Sequence, residues 1–201
     1  MPLNVLLLGP QGAGKGTQAK RISEEYGIPH IASGEILRAE MNAGTDLGRR
    51  VKDVYDRGDL VSDELMIELI RDRLSRGDTL AGFVLDGFPR TMPQAEALDE
   101  LLRDLGRDVD VVFDFQVPDR EVLLQRLLGR AAEESRSDDT PEAIKRRLEL
   151  YERETAPLVE YYRSTRGNVV GIHADRTVEA VFREIEDALA EAVRHGKVPL
   201  H

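Results

Sequence analysis

The sequence predicts an α/β domain, a parallel sheet of five strands wrapped by helices on both faces and interrupted by one helical insert. Short apolar runs bounded by turn residues recur at residues 5–8, 28–32, 83–85, 109–115 and 169–172, with helical patterns between them. Parallel strands need crossovers and are buried on both faces, so they read as continuous apolar runs rather than alternating ones. A glycine-rich turn follows the first run at once, and helical stretches without a strand separate the second run from the third. In such a sheet ligands sit beyond the carboxyl ends of the strands.

The first run, Val5-Leu6-Leu7-Leu8, leads directly into Gly9-Pro10-Gln11-Gly12-Ala13-Gly14-Lys15-Gly16-Thr17, and a helix-forming segment follows. The glycines let the backbone turn so that successive N–H groups face one anion. The helix beginning near Lys15 adds the positive end of its dipole, and Lys15 supplies a mobile charge for the outer phosphates. A glycine-rich turn alone is most often just a tight turn. Here the strand before it, the helix after it and the Lys-then-Thr ending agree on a phosphate-binding loop. The usual pattern places Ser or Thr directly after the lysine to hold magnesium; this chain has Gly16 there and the hydroxyl at Thr17.

After the second run, residues 33–75 read as three consecutive helices, with breaks at Gly44-Thr45-Asp46 and at residues 58–62. The third run ends in Asp86, a carboxylate at a strand end beside the phosphate loop, where it can orient magnesium or its waters. The fourth run is followed by a helix that begins after Asp119, then by a polar segment at residues 131–139. Thr140-Pro141 then marks the start of a long helix, with Thr at the cap and Pro at the first helical position. The fifth run and one more helix lead to a tail, residues 194–201, that carries no motif.

Composition bounds the function. The 201 residues suffice for one sizeable core, and 41 % hydrophobic with 33 % charged residues is the composition of a soluble globular domain. No apolar run approaches the roughly 20 residues needed to span a bilayer. The first residues lack the basic region of a signal peptide, and the lack of cysteine excludes disulfides and thiolate zinc sites. These features predict a cytoplasmic protein without a membrane partner. A net charge of −10 argues against nonspecific nucleic-acid binding, which needs a basic surface. The basic residues are lopsided, 23 Arg against 5 Lys. Most read as solvated surface, and a few stand where a planar, permanently charged phosphate ligand is useful.

Asp86-Gly87-Phe88-Pro89-Arg90 followed by Gln94, Ser33-Gly34-Glu35-Ile36-Leu37-Arg38, and the loop from Gly9 to Thr17 occur together in one order. Taken together they resemble the adenylate kinases of the nucleoside monophosphate kinase family, over about residues 3–189. The resemblance implies a P-loop nucleoside triphosphate hydrolase-like three-layer fold with a core at residues 1–31, 62–128 and 140–201. It adds a monophosphate-binding insert at 32–61 and a short lid at 129–139. It also implies transfer of a phosphoryl group from ATP to AMP, giving two ADP, with magnesium. The lid is too short for the β-rich, metal-binding kind found in many bacterial relatives, so zinc is not expected. A monomer is.

By the same resemblance Lys15 and the amides of Gly12, Ala13, Gly14, Gly16 and Thr17 match the ATP phosphate cradle. Ser33, Arg38, the backbone of Asp59, Leu60 and Val61, and the run Gly87, Phe88, Pro89, Arg90 match the residues that meet the monophosphate nucleotide. Gln94 matches the side chain that reads the adenine edge. Arg126 and Arg130, four apart and so on one helix face, match the arginines over the ATP base and phosphates, while Arg136 and Arg147 match the pair flanking the transferring group. Arg176 stands where a lysine is common beside the ATP base. The implied catalytic set is Lys15, Asp86, Arg90, Arg130, Arg136 and Arg147, with Asp86 meeting magnesium through water.

The chemistry suits these residue types. The attacking group is a phosphate oxygen, already ionised, so no Ser, Cys or His nucleophile and no general base is required. The histidines at 30, 173, 195 and 201 read as structural or surface groups, and Arg146 and Arg153 as charges within acid-rich helix. The difficulty is electrostatic: two polyanions must be held in line while charge spreads over the transferring group, and water kept out. Two alternatives share the same loop: a UMP/CMP kinase, against which Ser33 and Gln94 favour adenine, and a catalytically idle nucleotide-binding module.

Overall fold

The structure is a computed structural model that describes residues 2–134 and 140–194. Its five strands are β1 (Leu3–Leu8), β2 (His30–Ala32), β3 (Gly82–Asp86), β4 (Val111–Gln116) and β5 (Val169–His173). They form one parallel sheet in the order β2-β3-β1-β4-β5. The described helices are α1 (Lys15–Tyr26), α2 (Ser33–Ala43), α3 (Asp46–Asp56), α4 (Asp63–Leu74), α5 (Met92–Asp104), α6 (Arg120–Glu134), α7 (Pro141–Leu150), α8 (Pro157–Arg166) and α9 (Val178–Arg194).

Alternation along the central strand builds the three layers. In β1 every residue is buried. Leu3, Val5 and Leu7 pack into a cluster with Ala19 and Ile22 of α1, Leu127 of α6, Leu148 of α7 and Ile185 of α9. Leu6 and Leu8 point the other way, among Ile70 of α4, Leu98 of α5 and Leu158 and Tyr162 of α8. Period-two side chains on a strand buried from both sides leave no solvent-facing polar side, which is why Val5–Leu8 reads as an unbroken apolar run.

The three helices between β2 and β3 form where the breaks predict. Gly44, in the left-handed conformation (φ 64°), ends α2, and the Thr45 hydroxyl accepts from the Gly48 amide to cap α3. The expected Thr140 cap is present too, its side chain accepting from the Ala143 amide, with Pro141 as the first helical residue. The helix that follows is not one long rod: α7 gives way to a π-helical turn at Tyr151–Thr155 before α8. The strand at residues 28–32 is shorter than the apolar run, and β4 begins two residues later than its run. α6 continues through Gly129 and Arg130 to Glu134. Arg136 and the tail from residue 195 lie outside the described residues, as do residues 135–139 of the expected lid. Among the described residues no helix is long and apolar enough to cross a membrane.

Candidate active site

The register of the sheet brings three strand ends together. Asp86 pairs with Leu7 of β1 on one side and Ala32 of β2 on the other, so the chain leaves β1, β2 and β3 side by side. The segments that follow these strand ends, with α6 and α7, line a cleft of about 740 Å³.

The phosphate loop occupies its floor. Gly9, Gly12 and Gly14 take φ values of 143°, 84° and 86°, a region costly for residues with a Cβ. At Gly9 a Cβ would also come within 2.7 Å of Phe115 Cβ. Gly14 caps α1, so the helix N-terminus opens into the cleft with Gly12, Ala13, Gly14, Lys15, Gly16 and Thr17 all on the wall. Lys15 Nζ donates to the carbonyl oxygens of Gly9 at 2.7 Å and Pro10 at 2.9 Å. Burial lowers its pKa from 10.5 to about 8; Asp86 opposes that shift, and Arg90, Arg130 and Arg147 add to it. A lysine destabilised by burial and by three guanidinium groups is a site for an added anion.

Asp86 ends β3 opposite the loop. A Cβ on Gly16 would lie at ordinary contact distance, 3.5 Å, from its Oδ2, so Gly16 faces the carboxylate at the position that elsewhere carries a hydroxyl. Burial works to raise the Asp86 pKa, but His30, Lys15 and Arg90 outweigh it and hold it below 3.8. The His30 Nε2 is 3.8 Å from Asp86 Oδ2, longer than a hydrogen bond, and has no hydrogen-bond partner among the described residues. His30 was not singled out by its sequence context. Only the pairing of β2 with β3 brings it here.

The arginines arrive from separate elements. Arg90 Nε donates to the Gly87 carbonyl at 2.8 Å, behind a cis Phe88–Pro89 peptide bond. Arg38 Nη1 donates to the Tyr55 hydroxyl at 2.7 Å, tying α2 to α3. Arg126 Nη1 donates to the carbonyl of Ala174 at 2.9 Å and of Gly12 at 3.4 Å, spanning from α6 to the phosphate loop. Arg130 also lines the cleft, Arg147 of α7 reaches it while only 7 % exposed, and Arg176 lies at its rim with Nη2 on Glu184 at 2.6 Å. In a chain of net charge −10, this convergence of cations makes the cleft an anion trap.

The expected monophosphate residues divide. Arg38, Asp59, Gly87, Pro89 and Arg90 are on the cleft wall. Ser33, Phe88 and Gln94 are buried behind it, and the Ser33 hydroxyl donates to the Gly87 carbonyl at 2.7 Å. Leu60 and Val61 line a second, smaller cavity together with Asp59, Asp63 and Thr91. Arg146 is not a charge confined to its own helix: its Nε donates to Asp59 Oδ1 of the insert at 2.8 Å. With Gly58 packed so that a Cβ would meet the Ala143 carbonyl at 2.6 Å, the turn after α3 is seated on α7. Arg153 does pair locally, with Glu154. Thr155 went unrecognised from sequence. Its hydroxyl donates to the Arg90 carbonyl at 2.8 Å from the π-helical turn, and π-helical turns recur at functional sites.

The family model for adenylate kinase matches residues 7–167. The adenylate kinase of Stenotrophomonas maltophilia (strain K279a) is 46% identical over 180 residues, which cover 89% of this chain and 96% of that protein. The adenylate kinase of Xanthomonas euvesicatoria pv. vesicatoria (strain 85-10) is 43% identical over 187 residues, 93% of this chain and 99% of that one. An archaeal adenylate kinase, from Archaeoglobus fulgidus, is 38% identical over 218 aligned positions, covering 96% of this chain and all of the relative. With a family model spanning most of its length, and relatives of that name matched almost end to end, the chain belongs to the adenylate kinase family and is an ATP:AMP phosphotransferase.

Proposed function

We propose that the cleft holds ATP and AMP with their phosphates facing one another, ATP on the loop from Gly12 to Thr17 and AMP between the insert and the Gly87–Arg90 turn. The observation that carries this reading is the meeting of Lys15, Asp86, Arg90 and Arg147 at the strand ends, cations from three elements around one carboxylate. Lys15 and the loop amides hold the β and γ phosphates, and Arg126, Arg130 and Arg176 hold the rest of ATP. Arg38 and Arg90 take the AMP phosphate, Ser33 and the backbone of Asp59, Leu60 and Val61 border the nucleoside, and Gln94 reads the adenine edge. Arg147, with Arg136, neutralises charge on the transferring group. No proton needs to be removed from the nucleophile, so positioning and fixed charge supply the catalysis.

Magnesium fits the donor set. Asp86, kept ionised, and the exposed Thr17 hydroxyl are hard oxygen donors, and magnesium takes its remaining ligands from water and phosphate. When bound it neutralises phosphate charge and orients the chain of oxygens. The division into core (1–31, 62–128, 140–201), insert (32–61) and cover (129–139) gives the covers a purpose, because water in the closed site would take the phosphoryl group. We place the enzyme in the cytoplasm as a monomer, where the ATP, AMP and ADP it acts on are found, without nucleic-acid or membrane partners. A coupled assay with ATP and AMP, CMP or UMP across a magnesium titration tests the reading. AMP should be the preferred acceptor and turnover should require magnesium; preference for a pyrimidine, or full activity with chelator, would overturn it.

A further inference from the structure

Gln94, on the first turn of α5, is buried, and both ends of its side-chain amide are already engaged. Its Oε1 accepts from the Arg90 backbone N–H at 2.8 Å, and its Nε2 donates to Asp63 Oδ1 at 2.8 Å. Asp63, the first residue of α4, also accepts from the Thr91 hydroxyl at 2.8 Å, and that hydroxyl in turn caps the Gln94 amide N–H. Neither partner of the side chain is reversible. A backbone N–H only donates and a carboxylate only accepts. An inverted amide would set N–H₂ against N–H and oxygen against carboxylate, two repulsions in a buried place where each counts more than in water. The identity of the two amide ends is therefore fixed by the fold.

An amide offers two N–H donors and two lone pairs. These bonds use one of each, so one donor and one acceptor are left for a ligand, on ends that cannot be exchanged. The 6-aminopurine edge presents an acceptor at N1 and a donor at its amino group. A 6-oxopurine of the same size and shape presents the reverse, N1–H and a carbonyl oxygen. A freely rotating glutamine would serve both by turning over; a locked one serves only the first. Uracil also presents the reversed pattern.

We propose that Asp63 is a specificity-determining residue that positions Gln94, holding its amide in the orientation that pairs with the amino edge of AMP and refuses the oxo edge of IMP. Asp63 does not touch the nucleotide. This inference rests on the proposed reading of Gln94 as the side chain that meets the base.

The test is the ratio of kcat/KM for AMP to that for IMP, both with magnesium-ATP, in the wild type, in Asp63→Asn and in Gln94→Leu. Asparagine keeps nearly the same shape and still accepts from Thr91, but it can also donate, so the lock loses one half and the Arg90 N–H keeps the other. The ratio should fall by on the order of tenfold, through better use of IMP, the scale expected for one lost charge-assisted hydrogen bond. Asp63→Ser, which can likewise donate or accept, should act in the same direction and serves if the asparagine variant folds poorly. Gln94→Leu should raise the KM for AMP. If it does and the ratio in both Asp63 variants stays at the wild-type value, the lock is wrong and the base contact stands. If Gln94→Leu leaves the KM for AMP untouched, Gln94 does not meet the base, and the lock falls with it.

Discussion

Lys15 Nζ donates to two carbonyl oxygens, while burial and the guanidinium groups of Arg90, Arg130 and Arg147 pull its pKa from 10.5 to about 8. Two consequences follow with definite signs. The free enzyme loses the lysine charge as pH rises through about 8, so kcat/KM for ATP should decline above that pH. Bound phosphates restore the higher pKa, and kcat should hold further into the alkaline range. Stability moves the opposite way. Between pH 8 and 10.5 the unfolded chain keeps a proton that the folded lysine has released, so unfolding free energy should rise with pH by on the order of 1–2 kcal/mol. Urea unfolding of wild type and Lys15→Met at both ends of that window checks this: the wild type should gain stability that the methionine variant does not. At this scale Lys15, Asp86 and Arg90 were legible because each lies inside a short motif. His30, Tyr55, Asp63 and Thr155 were not, because the groups they face are 17 to 65 residues away in sequence. Arg147 was legible as an arginine of the site, yet its sequence gives no sign that α7 would bury it beneath Gly58.

At the scale of elements, helix caps were readable and the internal fault in a helix was not. Thr140-Pro141 starts α7 as its chemistry requires, but the chain then widens at Tyr151–Thr155, where the Ala156 N–H reaches the Tyr151 carbonyl at 2.8 Å, five residues back. Pro157 has no N–H to give to the preceding turn, a local cause that was visible in sequence though its result was not. The contact of the insert with α7 is tighter than a charge pair alone would make it. Gly58 has φ 74°, and a Cβ there would press on the Ala143 carbonyl and on Arg147 Cγ. Gly58→Ala should therefore cost about 1–3 kcal/mol in stability and push the insert off α7. The KM for AMP should rise by about an order of magnitude while the KM for ATP changes little. Steady-state kinetics in both substrates decide this, and equal rises in the two constants would mean the insert and the ATP half move as one.

At the scale of the whole molecule, the five strands and their parallel sense follow from short, mainly apolar runs separated by helical patterns, and each observed strand overlaps its run. The order β2-β3-β1-β4-β5 does not follow from those runs, because it depends on how each crossover passes the sheet. That order is what gathers the ends of β1, β2 and β3 at Lys15 and Asp86, so the site is more than its motifs. The central claim is that this gathering transfers a phosphoryl group directly from ATP to AMP. Its most direct test is a label-transfer measurement with ATP carrying a radioactive γ-phosphate, AMP and magnesium, using wild type and Lys15→Ala. The label should appear at the β-phosphate of ADP formed from AMP, with little released as inorganic phosphate, and the variant should be slower by on the order of 10³ while keeping its fold. Label appearing chiefly as inorganic phosphate, or a folded Lys15→Ala variant with wild-type transfer, would contradict the account.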